Sequence, residues 1–123
     1  MRVDIDDTSF DDGFTYMYEG EPVTGEIVET DPDGNVVTVI PVVDGVPNGT
    51  ERAWYPDGTL RLEIPMVNGA VRGTSRQWHP DGRLAEECDF DDRGDLVAIR
   101  EWTEDGTPVE RPPGRAGRSA EPR

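Results

Sequence analysis

The stretch WYPDGTL, Trp54 to Leu60, returns as WHPDGRL at Trp78 to Leu84 and in altered form as WTEDGTP at Trp102 to Pro108. A catalytic constellation is written once, whereas an architectural unit is rewritten each time it is used, so the repetition points to stacked structural units. The turn glycines Gly34, Gly58, Gly82 and Gly106 keep one constant spacing without drift. A second turn is interleaved with the first: DGVPNGT holds Gly45 and Gly49, and NGAVRGT holds Gly69 and Gly73, at the same interval. Each unit therefore has two turns and two short strands. GEPVTGE (Gly20 to Glu26) opens the series with one extra residue, and DRGDLVA closes it with Arg93 and Val97 where glycines are due. Worn terminal units are expected of caps.

Between the turns the hydrophobic period is two. In LRLEIPM, Leu60, Leu62, Ile64 and Met66 fall on one face of a strand. Val36, Thr38, Ile40 and Val42 occupy those columns one unit earlier, and Leu84, Glu86, Cys88 and Phe90 one unit later. Helical spacing is missing, and Gly and Pro punctuate the chain too often for long helices. The sequence predicts an all-β protein: an elongated, twisted antiparallel meander of stacked hairpins over residues 18–110, preceded by an acidic segment (1–17) and followed by a disordered Pro/Gly/Arg tail (111–123).

Turn chemistry sets the register. In YPDG, Pro56 suits the second position of a type I turn and Gly58 the left-handed position of a three-residue hairpin loop with a G1 bulge. That loop pairs Trp54 with Leu60, and a regular ladder beyond it pairs Arg52 with Leu62, Arg76 with Glu86 and Arg100 with Glu110. The tryptophans then join the apolar face, and Glu51, Ala53 and Tyr55 lie on the opposite one. A two-residue loop made of Asp57 and Gly58 shifts the register by one, sets Arg52 against Glu63 and turns the tryptophans into a polar aromatic stripe. The three-residue loop is the preferred expectation.

Composition narrows function. Twelve arginines and no lysine against 27 acidic residues give a formal charge of −15, which repels nucleic-acid backbones and anionic membranes and attracts basic proteins. The basic tail makes the remainder more acidic still. No apolar run is long enough to span a bilayer and the N-terminus has no signal-like stretch, so the expected compartment is the cytoplasm. Cys88, the sole cysteine, excludes an internal disulfide and lies in register with Ile64 and Ile40, a packing position. One His and one Cys cannot make a zinc site, DIDDTSFDD lacks the Gly and Glu of a calcium loop, and the glycines precede no helix that could cradle a phosphate. His79 has no local triad partners. The expectation is a non-enzyme without cofactor or metal.

The alternation of NG turns (Asn48, Asn68) with PDG turns (Asp33, Asp57, Asp81), and the aromatics before the latter, resemble the MORN-variant repeat family over roughly residues 18–109. Bacterial members of that family are described as YwqK-type antitoxin or immunity-like proteins. The resemblance implies stacked hairpins and a role in neutralising a toxic protein, such as a nuclease, by direct binding. Lysines frequent in such repeats are replaced by arginine here, and Thr30 stands where an aromatic is usual. Together with the acidity, this makes a basic toxin the expected partner. The candidate contact residues are Glu51, Tyr55, Glu63, His79, Glu87 and Asp89. A structural scaffold that self-associates through its sheet, as a homodimer for instance, is the competing expectation.

Overall fold

The computed structural model describes residues 1–10 and 15–109. In chain order the strands are β1 (Arg2–Asp4), β2 (Ser9–Phe10), β3 (Tyr16–Tyr18), β4 (Glu21–Pro22), β5 (Gly25–Thr30), β6 (Val36–Val43), β7 (Val46–Pro47), β8 (Gly49–Trp54), β9 (Leu60–Val67), β10 (Ala70–Val71), β11 (Gly73–Trp78), β12 (Leu84–Phe90) and β13 (Leu96–Glu101), with a 3₁₀ turn at Ile5–Asp7. One long sheet runs β1-β5-β6-β8-β9-β11-β12-β13, with β7 and β10 as short hairpin returns. A second sheet, β2-β3-β4, has three short strands. From β5 onward every pairing is antiparallel, as the turn spacing predicts. At the edge β1 departs from that expectation: it lies parallel to β5, pairing Val3 with Ile27. The acidic segment thus contributes a strand to the main sheet, and β3 straddles the expected boundary at residue 17. The tail from 111 onward lies outside the described residues.

Two turn types alternate. At Tyr55 to Thr59 the Tyr55 N–H donates to the Thr59 carbonyl (2.8 Å) and the Gly58 N–H to the Tyr55 carbonyl (2.9 Å). Gly58 takes φ +94°, the left-handed position that a side chain disfavours. The same pair of hydrogen bonds closes the turns at Gly34, Gly82 and Gly106. On the opposite edge Asp44-Gly45 and Asn68-Gly69 are two-residue turns with both residues at positive φ, the primed type whose twist suits a hairpin. The final opposite-edge turn switches type. Asp91 to Asp95 adopts the three-residue form, with Gly94 bonded to Asp91, because Arg93 cannot take the left-handed place as readily as glycine.

The three-residue loops at Gly34, Gly58, Gly82 and Gly94 are each followed by a bulge. Trp54 pairs with Leu60, but Ala53 pairs with Leu62, leaving Arg61 as the extra residue. Val37, Ala85 and Val97 are skipped in the same way. This corrects the predicted register. The loop and the Trp54–Leu60 pair stand, yet one residue later the ladder slips, so Arg52 meets Glu63 instead of Leu62 and Arg76 meets Glu87 instead of Glu86. Because the side-chain period in a strand is two, the slip exchanges the faces. Ala53, 1 % exposed, shares the apolar face with Leu62, and so does Glu51, which pairs with Ile64. Trp54 and Trp78 are half-buried and do not belong to the core. Glu110, the expected partner of Arg100, lies outside the described residues.

The core occupies the N-terminal part of the sheet. Val3, Val23, Ile27, Ile40 and Val42 form one buried cluster, against which Ile5, Tyr16 and Tyr18 pack. The small sheet is tied down by main-chain bonds from Tyr16 N–H to the Gly45 carbonyl (2.8 Å) and from Gly45 N–H to the Val23 carbonyl (2.6 Å). After Ala53 no described residue is buried.

Candidate functional site

The slipped register builds a charge ladder across one face. Arg52, Glu63, Arg76, Glu87 and Arg100 stand side by side on β8, β9, β11, β12 and β13 with alternating sign. Arg52 Nε lies 2.9 Å from Glu63, Arg76 Nε 2.8 Å from Glu87, and Arg100 Nε 3.0 Å from the other oxygen of Glu87. Arg100 also reaches Asp89 at 3.0 Å, and Asp89 accepts from the Thr74 hydroxyl at 2.8 Å. The guanidinium hydrogen bonds from Arg76 and then Arg100 hold the Glu87 carboxyl below its usual range. Those from Thr74 and Arg100 do the same for Asp89. Three of the six candidate contact residues, Glu63, Glu87 and Asp89, are thus brought together, and their charge is matched within the chain.

Tyr55 and His79 are also engaged internally. The Tyr55 hydroxyl donates to the Trp78 carbonyl at 2.7 Å, and His79 Nε2 lies 2.8 Å from the Trp102 carbonyl. A carbonyl only accepts, so Nε2 carries the proton. Each side chain reaches the tryptophan carbonyl just before the next unit's turn and so ties one turn to the following one. The preceding PDG turn has Asp31 in this column, and its carboxylate instead accepts from the Asp33 and Asn35 amides at 2.9 Å within its own turn. The sequence signal for this tie was present: a phenol or imidazole donor follows the tryptophan in two successive units, and each of the two is succeeded by a further tryptophan in the next.

Glu51 lies on the face opposite Glu63, Glu87 and Asp89. There Ile27 pairs with Ile40, Glu51 with Ile64, Ser75 with Cys88 and Cys88 with Ile99, in one row across the sheet. The adjoining row runs Glu29, Thr38, Ala53, Leu62, Gln77, Glu86 and Glu101. Neither row contains an arginine. Burial pushes the Glu51 carboxyl up, against an opposing pull from Arg61. Burial raises the Tyr16 phenol as well, helped by the charge of Glu51. Glu51 therefore marks the place where the N-terminal cap ends. Beyond it Leu62, Ile64, Met66, Cys88, Phe90 and Ile99 are only half-buried, flanked by Glu86 and Glu101. Cys88 is a free thiol whose ionisation burial disfavours. The sequence columns already set Glu86 among the apolar residues; Glu101 was missed because the bulges hide which acids share that face.

A groove of about 540 Å³ opens on the ladder side, where Arg2, Val39, Trp54 and Pro56 meet. Its Arg2 is already paired with Glu26 at 2.7 Å, and its other ionisable lining groups, Tyr55 and Asp57, make no nucleophile–base pair. Among the described residues no group of three or more His, Cys, Asp or Glu side chains is placed to hold a metal ion. No helix of the described residues is long and apolar enough to cross a membrane. Compared with known proteins, the chain matches no family model, no curated protein and no solved structure.

Proposed function

We propose that this chain is a non-catalytic antitoxin or immunity-like protein that acts in the cytoplasm by binding a basic toxin and covering its active site. The reading joins the resemblance of the evenly spaced turns to MORN-variant repeats with one observation of charge sorting. Arg52, Arg76 and Arg100 are matched to Glu63, Glu87 and Asp89 on one face. That face matches three arginines to three acids, so the formal charge of −15 is carried by the remaining acids. Such a field steers a cationic protein into contact and repels nucleic acid and anionic lipid. Co-expression with the product of the adjacent gene tests it. The expected result is rescue from that product's toxicity and a co-purifying complex; no rescue and no complex would defeat the reading.

A scaffold that self-associates through its sheet is the second reading. It is favoured by Leu96 and Val97 on the last strand, 43 % and 62 % exposed. Light scattering that finds a stable homo-oligomer, with no toxin encoded nearby, would support it.

A further inference from the structure

We infer that the outer edge of β13 is an acceptor for an extended strand of another protein, one that sets a glutamate opposite Arg100 between apolar neighbours and keeps a main-chain N–H opposite Ile99. This goes beyond the toxin-binding reading and stands without it.

The open side of β13 follows from its hydrogen bonds. The Trp102 N–H donates to the Ala85 carbonyl on the side of β12, whereas the Glu101 carbonyl takes the Val109 N–H (2.8 Å) on the other side. Main-chain groups alternate in direction along a strand, so the Ile99 N–H and carbonyl also point away from β12. Among the described residues, β13 pairs along its length with β12, and its outer side is met near its end by the Trp102–Pro108 bridge and the Val109 bond. Leu96 and Val97, where the strand begins, are exposed.

The sheet itself shows what such an edge takes. Arg52 on β8 and Arg76 on β11 hold the place of Arg100 in the two earlier units, and each bonds forward to a glutamate of the following strand, Glu63 at 2.9 Å or Glu87 at 2.8 Å. One residue further along, Ile64 and Cys88 stand opposite Glu51 and Ser75, the counterparts of Ile99. Arg100 instead bonds back, to Glu87 and Asp89 on β12.

The sequence that continues the chain is ill suited to the place. Where the earlier units have Glu63 and Glu87 it has Arg111, and where they have Ile64 and Cys88 it has Pro112. Like charges set directly opposite disfavour pairing, and proline has no N–H for the Ile99 carbonyl. A second copy offers less as well. Antiparallel pairing of β13 with itself keeps outward-pointing residues opposite one another, so Arg100 meets Leu96, Ala98 or another Arg100 and never an acid. A foreign strand of the β9 kind supplies both the main-chain bonds and the forward counter-charge.

The probe is a peptide of the β9 sequence, Leu60–Val67, added to the full chain, with hydrogen exchange of the Ile99 amide as the readout. The expected result is saturable binding that slows exchange at Ile99 at least tenfold. Two altered peptides, one carrying Glu63→Arg and one N-methylated at Ile64, should each bind at least tenfold more weakly. The first loses the counter-charge and the second the N–H that reaches the Ile99 carbonyl. In the Arg100→Glu variant of the chain the first preference should reverse, so that the Glu63→Arg peptide binds more tightly than the original. No binding, unchanged exchange at Ile99, or equal binding of the N-methylated peptide would overturn the assignment. An Ile99 amide already protected in a chain that light scattering finds dimeric would overturn it in favour of a second copy at this edge.

Discussion

Ile40 and Ile64 stand in the same row of one sheet, one repeat apart, and their surroundings differ. Ile40 is 6 % exposed beneath the cap, in a cluster with Ile27 and Val42. Ile64 is half-buried, with strands on either side of it but no covering layer among the described residues. The turns and the pairing are alike in the two halves, so the sheet itself does not decide burial. What decides it is whether another segment lies on top. A single layer can be built from hairpins alone, but a dry core needs a second layer. In this chain the second layer is made by the acidic N-terminal segment and ends near Glu51.

Truncating the same row in each half should separate the two most widely. Ile27→Ala empties a fully buried site and is expected to cost about 2–4 kcal/mol in urea unfolding, whereas Ile64→Ala is expected to cost about 1 kcal/mol, because much of its surface already meets water. Equal losses would mean that the halves are packed alike.

Glycines in equivalent turns give the next largest contrast. Gly45→Ala and Gly69→Ala both force a side chain into the left-handed region, at φ +82° and +86°, for about 1–2 kcal/mol each. At Gly45 the new methyl would also sit 2.7 Å from the Tyr16 carbonyl oxygen and against Thr15, whereas at Gly69 it meets only the Val46 side chain at 3.4 Å. Thermal unfolding should therefore show a distinctly larger loss for Gly45→Ala. A matching loss at both sites would place the cap elsewhere.

In the open half the ties between units take over. Tyr55→Phe removes the bond to the Trp78 carbonyl and is expected to cost about 1 kcal/mol in chemical denaturation. No measurable change would make Tyr55 available for binding, as the sequence alone suggests.

The smallest effects should be opposite in sign. Burial raises Glu51 above the ordinary 4.5, so its favourable contribution is complete below that value and is lost as pH rises through the raised one. Arginine hydrogen bonds lower Glu87, so its contribution is present above 4.5 and is lost as pH falls through the lowered value. At pH 7 Glu51→Gln should raise the melting temperature slightly, and Glu87→Gln should lower it, with a stability loss on the order of 0.5 kcal/mol as exposed ion pairs allow. Changes of the same sign would contradict the assignment of these two acids to different environments.

Much of the architecture was legible because turns are local. Pro56, Asp57 and Gly58 specify a three-residue loop, and Asn68-Gly69 a primed two-residue one, without reference to distant residues. A bulge at Gly58 was expected, but the further bulge beyond each loop was not legible. The skipped residues are Val37, Arg61, Ala85 and Val97, which share no chemistry, so nothing in the pattern announces the slip that follows each loop. That slip moved Glu51 to the apolar face and committed Glu63 and Glu87 to arginines. The cap was hidden for a related reason: Ile5, Tyr16 and Tyr18 sit among so many acids that the segment reads as solvated, and only the tertiary arrangement presses them onto the sheet. The candidate site was thus half readable, in its residue types but not in its face.

Equivalent positions probed with one reagent would test the two-layer arrangement most directly. In a Cys88→Ser background, Ile40→Cys and Ile64→Cys are labelled with a maleimide under native conditions and the rates compared. The thiol at 64 is predicted to react at least tenfold faster than the thiol at 40, which the cap shields. Equal rates, or faster labelling at 40, would contradict a covered first half and an open second one.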